Sequence, residues 1–169
     1  MNLLYLLKIL KTNKLSELVA NMDLPPLDIN LAIWEAIDNG EIEIDEDKDR
    51  VKALKDAEPW QNPDLATKLI RVFQHYAANQ ANITRGRLNG YIKDPATEQG
   101  YKWHEYIMTL QYLIDNGQVV EEVISVPKVG KRPYHKFAFL CLPGQNNQEW
   151  NARTINQWID TFAKQPKKG

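Results

Sequence analysis

Apolar residues along the chain recur with two periods, one helical and one alternating, and their order predicts the elements. Between 103 and 114, Trp103, Ile107, Leu110, Leu113 and Ile114 fall at helical spacing and form one apolar stripe. Asp115-Asn116-Gly117 stops that helix, because glycine takes the left-handed conformation that helix ends favour. Two β-rich runs follow, Val119 to Val126 and Tyr134 to Leu142. They flank a loop with Pro127 and Pro133 at its ends and Lys128, Lys131 and Arg132 inside it.

The N-terminal part has the same alternation. Leucines 3, 4, 6, 7 and 10 predict a short amphipathic helix over 2–11, and a second follows over 15–21. Pro25-Pro26 suits the first turn of a third helix, whose inner face is Ile29, Ile33, Ala36 and Ile37. Asp38-Asn39-Gly40 ends it, and strands at 41–44 and near 51–54 surround an acidic tip, 45–49. Residues 56–62 read as a linker. Asn62 then caps a longer helix with the stripe Leu65, Leu69, Val72, Phe73 and Tyr76, with Pro63 at its first position and Asp64 at the positive end of its dipole. A further helix is predicted over 84–92, weakened by Gly86 and Gly90. A last helix, 147–164, carries Trp150, Ile155, Trp158, Ile159 and Phe162 on one side. So apolar a face must be covered, by its own domain or by a partner.

The two halves align as a repeat. Residues 33–42 match 110–119, with Ile-Asp-Asn-Gly identical at 37–40 and 114–117 and placed at the same helix-to-strand junction. On this order of elements, both halves resemble the winged-helix (helix-turn-helix) superfamily. The resemblance covers residues 1 to about 142 and rests on element order, because the superfamily has no diagnostic motif. The expected fold is mainly α with small β-hairpins: tandem winged-helix domains at 1–57 and 62–143, plus a C-terminal helix at 147–165.

Charge separates the halves. The formal net charge of −1 divides into −6 for residues 1–60 and +5 for 61–169, so the two halves suit different electrostatic partners. At 43% apolar and 25% charged, the composition is that of a globular protein. The single Cys141 lies in an apolar strand and reads as a buried, reduced thiol. Residues 1–10 lack a basic leader and a cleavage site, and lysines interrupt them, so a cytoplasmic protein with no membrane span is expected.

The resemblance implies contact with double-stranded DNA through the third helix and the wing of a repeat. The second repeat suits this. Lys128, Lys131, Arg132, His135 and Lys136 lie on its hairpin, and Arg85, Arg87, Lys93 and Lys102 add candidate backbone contacts. Its third helix offers few base-reading side chains. Tyr101, Met108 and Tyr112 there read instead as a contact surface for protein, such as the first domain or the terminal helix. The first repeat is acidic around its third helix and wing, which disfavours phosphate. Leu31 and Trp34 on that helix suggest a protein partner or a homodimer; the alternative is that Trp34 packs within its own domain. Asp45, Asp47 and Asp49 imitate a calcium loop but lack its glycine and its bidentate glutamate. The three histidines have no ligand spacing, and there is no phosphate-binding glycine loop or nucleophile–base pairing, so no metal, cofactor or catalysis is expected. The function expected is a non-enzymatic nucleic-acid-binding protein, such as a transcription or replication accessory factor. A protein-interaction adaptor on the same scaffolds is the alternative.

Overall fold

A computed structural model describes residues 1–93, 101–127 and 135–163 of the chain. The fold is mainly helical with small antiparallel sheets. Its elements run α1 (Leu3–Leu10), α2 (Leu15–Ala20), α3 (Pro26–Asp38), β1 (Ile42–Asp45), β2 (Arg50–Ala53), α4 (Pro63–Ala78), β3 (Ile83–Thr84), α5 (Arg85–Lys93), α6 (Trp103–Asp115), β4 (Val120–Val126), β5 (His135–Cys141) and α7 (Gln148–Ala163). No helix among the described residues is long and apolar enough to cross a membrane.

Compactness divides the chain into two units that do not follow chain order. One is Met1–Ala66 with the described part, 101–112, of Pro95–Tyr112. The other is Thr67–Asp94 with the described residues of Leu113–Gly169. The divisions fall inside α4 and α6, where the chain pattern placed a linker at 56–62 instead.

In the first unit the leucine-rich α1 is buried along most of its length, from Leu3 to Leu7, and packs with Leu18, Met22, Ile33, Ala36, Ile42 and Val51. Each fully buried leucine contributes roughly 1.5–3 kcal/mol relative to exposure. Tyr106, Met108 and Leu110 of α6 belong to the same interior. In the second unit β4 and β5 form a seven-rung ladder, and the two-residue β3 joins the other edge of β5 through Ile83 opposite Leu140. Val126, Phe137 and Phe139 on one face of that sheet receive Trp150, Ile155, Trp158 and Ile159 of α7. The apolar side of the last helix is therefore covered within its own unit. Phe139 and Trp150 meet edge-on at 5.9 Å, as do Phe137 and Trp158 at 5.7 Å. Cys141 is a buried free thiol, pushed up from its ordinary pKa by burial and then by Glu122.

The two identical tetrads share two backbone hydrogen bonds and a left-handed glycine. Gly40 and Gly117 both take positive φ, +67° and +73°. Gly40 N donates to the Ile37 carbonyl and Gly117 N to the Ile114 carbonyl, each at 3.0 Å. Glu41 N reaches Ala36 O and Gln118 N reaches Leu113 O, each at 2.9 Å. The carbonyls freed at both helix ends are thus satisfied in the same way. The strand arrangement repeats too. In the first copy Lys14, between α1 and α2, bridges Arg50 at the start of β2, so this position, β2 and β1 stand in the order that β3, β5 and β4 show in the second copy.

Candidate nucleic-acid interface

The residues expected to contact phosphate fall into four groups. Lys128, Lys131 and Arg132 lie outside the described residues. His135 and Lys136 begin β5, where they pair with Val126 and Ser125 of β4. Successive strand residues face opposite sides of a sheet, so the two point apart. His135 lies on the α7 side, stacked on Trp158 at 4.8 Å and 16° and edge-on to Phe137 at 4.5 Å. That packing accounts for its ring by aromatic contact and turns it away from Lys136. Lys136 is exposed on the opposite face.

Arg85 shares the face of Lys136. Its Nε binds Glu121 Oε2 at 2.6 Å, with both side chains partly exposed. Glu121 and Ser125, the partner of Lys136, lie on the same side of β4, separated by about 13 Å at ~3.3 Å per residue. The structure therefore places Arg85 and Lys136 along one sheet face, with Arg85 held by a carboxylate and Lys136 near the start of β5. On α5, Arg87 Nε donates to Tyr91 Oη at 3.2 Å, and its guanidinium lies 5.7 Å from the Tyr91 ring centre. Tyr91 Oη also meets Tyr76 Oη at 3.4 Å. The Tyr91 hydroxyl raises the Arg87 pKa, while hydrogen bonds from Tyr76 and then Arg87 lower that of Tyr91. Burial, and then Tyr91, raise that of Tyr76. Lys93 is exposed in the last turn of α5.

Lys102 belongs to the other unit. Its Nζ donates to the Asp23 carbonyl at 3.3 Å, Trp103 N donates to Asp23 Oδ2 at 3.2 Å, and Trp103 Nε1 donates to Asn21 Oδ1 at 3.0 Å. Asp23 N in turn donates to His104 Nδ1 at 3.1 Å, and burial lowers the His104 pKa. The α2–α3 turn thus grips the start of α6. Asn62 N donates to Thr109 Oγ1 at 3.0 Å further along that helix.

These contacts cover much of the outer face of α6. Met108 and Thr109 are 1% and 0% exposed, and no position from 103 to 114 is fully exposed. Met108 is interior to the unit that α6 shares with α1, α2 and α3. Tyr101 and Tyr112 are half-buried. The first repeat behaves oppositely. Leu31 and Trp34 on α3 are each 58% exposed, and Leu27 is 69% exposed, so Trp34 borders the hairpin with more than half of its surface open.

Pattern reading missed the pairing of Arg85 with Glu121, because the two stand 36 positions apart with no local signal. Among the described residues no three His, Cys, Asp or Glu side chains gather as a metal-binding group. Asp49 of the acidic tip instead accepts from Ser16 N at 2.7 Å and from Ser16 Oγ at 2.5 Å, which lowers its pKa and anchors the start of α2. Comparison with protein-family models, with curated proteins and with solved structures gives no match to this chain.

Proposed function

We propose that the chain is a non-enzymatic nucleic-acid-binding protein with two winged-helix repeats, gripping the backbone of double-stranded DNA through its second unit. Charge carries this reading. Along the chain, residues 1–60 carry a net of −6 and residues 61–169 a net of +5. Among the described residues, the first compact unit has 8 Lys and Arg against 15 Asp and Glu, a net of −7, and the second has 7 against 5, a net of +2. A unit of that charge attracts phosphate, and its acidic neighbour repels it. The winged-helix assignment is supported by the repeated order of helices, hairpin and third strand. Because no residue of α6 from 103 to 114 is fully exposed, binding is expected through the backbone and not through base edges.

Fluorescence anisotropy with a labelled duplex tests this. Binding is expected at low salt, falling linearly on a log–log plot as salt rises. Lys136→Ala and Arg87→Ala should each reduce the slope by about one. Duplexes of permuted sequence should bind alike. Absence of low-salt binding, or binding without salt dependence, overturns the proposal. The enclosure of α6 favours a second reading, a protein adaptor on the same scaffolds. A protein partner recovered alongside no duplex binding would select it.

A further inference from the structure

Helix α3 carries an apolar strip on the side away from its core. At 100° per residue, Leu27, Leu31, Trp34 and Asp38 fall within a narrow arc, while the buried Ile33 and Ala36 lie across the axis. Asp28 and Glu35 run along one edge of the strip, and α3 has no Lys or Arg at all. Beside it, Trp34 and Ile37 line a shallow groove with Ile44 and Leu54 of the hairpin, and Glu43 and Glu46 line it too. Leu54 is 47% exposed. Lys52 stands across the ladder from Glu43, and Lys55 donates to the Asn39 carbonyl at 2.9 Å.

We propose that this face docks a basic amphipathic helix of a partner protein, its apolar side on Leu27, Leu31 and Trp34 and its Lys or Arg residues against Asp28, Glu35 and Asp38. Charge selects the occupant. Nucleic acid and anionic membrane are repelled, and two copies meeting face to face would set these carboxylates against themselves. Nor does the basic unit of a second copy offer a matching helix. The apolar stripe of α7 is covered by its own sheet, and Leu69, Phe73 and Leu88 of α4 and α5 are buried. Tryptophan is among the residues in which interface hot spots are enriched, so Trp34 is the anchor of this face. The inference is independent of DNA binding by the other unit.

The test uses the full chain and two labelled peptides of about five helical turns. Both carry leucine at i, i+3, i+4 and i+7; the other positions are lysine in one and glutamate in the other. The lysine peptide should bind, with an affinity that falls as salt rises, and the glutamate peptide should not. Trp34→Ala, at an exposed position, should weaken binding roughly tenfold or more. The triple variant Asp28→Asn, Glu35→Gln, Asp38→Asn should weaken it and flatten its salt dependence. Unchanged circular dichroism and melting establish that both variants fold, and retained duplex binding by both separates this site from the basic unit. Equal binding of the two peptides, binding of neither, or a Trp34→Ala affinity within about twofold of wild type overturns the proposal. So does a sedimenting dimer that Trp34→Ala dissociates, since that assigns the face to a second copy.

Discussion

Helices α3 and α6 each run into a β-hairpin through the same four residues, yet they meet opposite surroundings. On α3, Leu27, Leu31 and Trp34 are open to solvent. On α6, Met108 and Thr109 are enclosed, and its first turn is pinned to Asn21 and Asp23. The two helices share a helix-to-strand junction while their outer sides differ. On α3 that side is an outward apolar strip among carboxylates, and on α6 it is largely interior. Similarity of fold therefore leaves the role of this helix undecided, and only its side chains and their burial assign it.

The largest test of this contrast is truncation. Tyr106→Ala removes a fully buried ring of α6 and should cost about 3–5 kcal/mol in urea unfolding. Trp34→Ala on α3 should stay within about 1 kcal/mol of wild type; comparable costs would break the contrast. Next come the shared glycines. A Cβ at Gly40 or Gly117 meets nothing within 4 Å, so Gly40→Ala and Gly117→Ala should differ from wild type only by left-handed backbone strain, about 1–2 kcal/mol each. Unequal costs would mean that the two junctions are not equivalent.

A smaller effect is expected with pH. The folded state holds His104 below its ordinary pKa, so the unfolded chain binds the extra proton first. Stability is then full above pH about 6.5 and declines on acidification until the folded-state pKa is reached, with a slope of at most ~1.4 kcal/mol per pH unit. His104→Asn keeps an acceptor for Asp23 N and should remove that part of the decline in chemical denaturation. A variant whose acid profile matches wild type would discard the assignment. Smallest is Asp49→Asn, which weakens the hold on Ser16 and should lower the melting temperature slightly. No change at all would show that the contact is idle.

Local chemistry made much of this architecture legible. Ile-Asp-Asn-Gly announced both junctions, and Asn62 accepts from Asp64 N and Leu65 N as a cap should. The strands were found to within about a residue at their ends, as alternation allows. What stayed hidden depends on partners far away in sequence. β3 is only Ile83 and Thr84, too short for any period, and exists because Leu140 and Phe139 lie beside it. The enclosure of Met108 and Thr109 comes from chain more than 40 positions earlier, including Asn62. Around 103–112 the pattern therefore showed one apolar stripe where the fold buries two sides.

Four asparagines join the start of α7 to the turn before β3. Asn82 and Asn151 are each 1% exposed. Asn82 Nδ2 donates to Asn146 Oδ1 at 2.7 Å and to Asn151 Oδ1 at 2.8 Å, while Asn147 N donates to Asn82 Oδ1 at 3.1 Å. Anyone excising the second repeat at 143 would strand the Asn82 amide without three of its partners and bare two phenylalanine rings in the same cut. The terminal helix is thus a keystone of that repeat, and a soluble fragment of it has to run through α7.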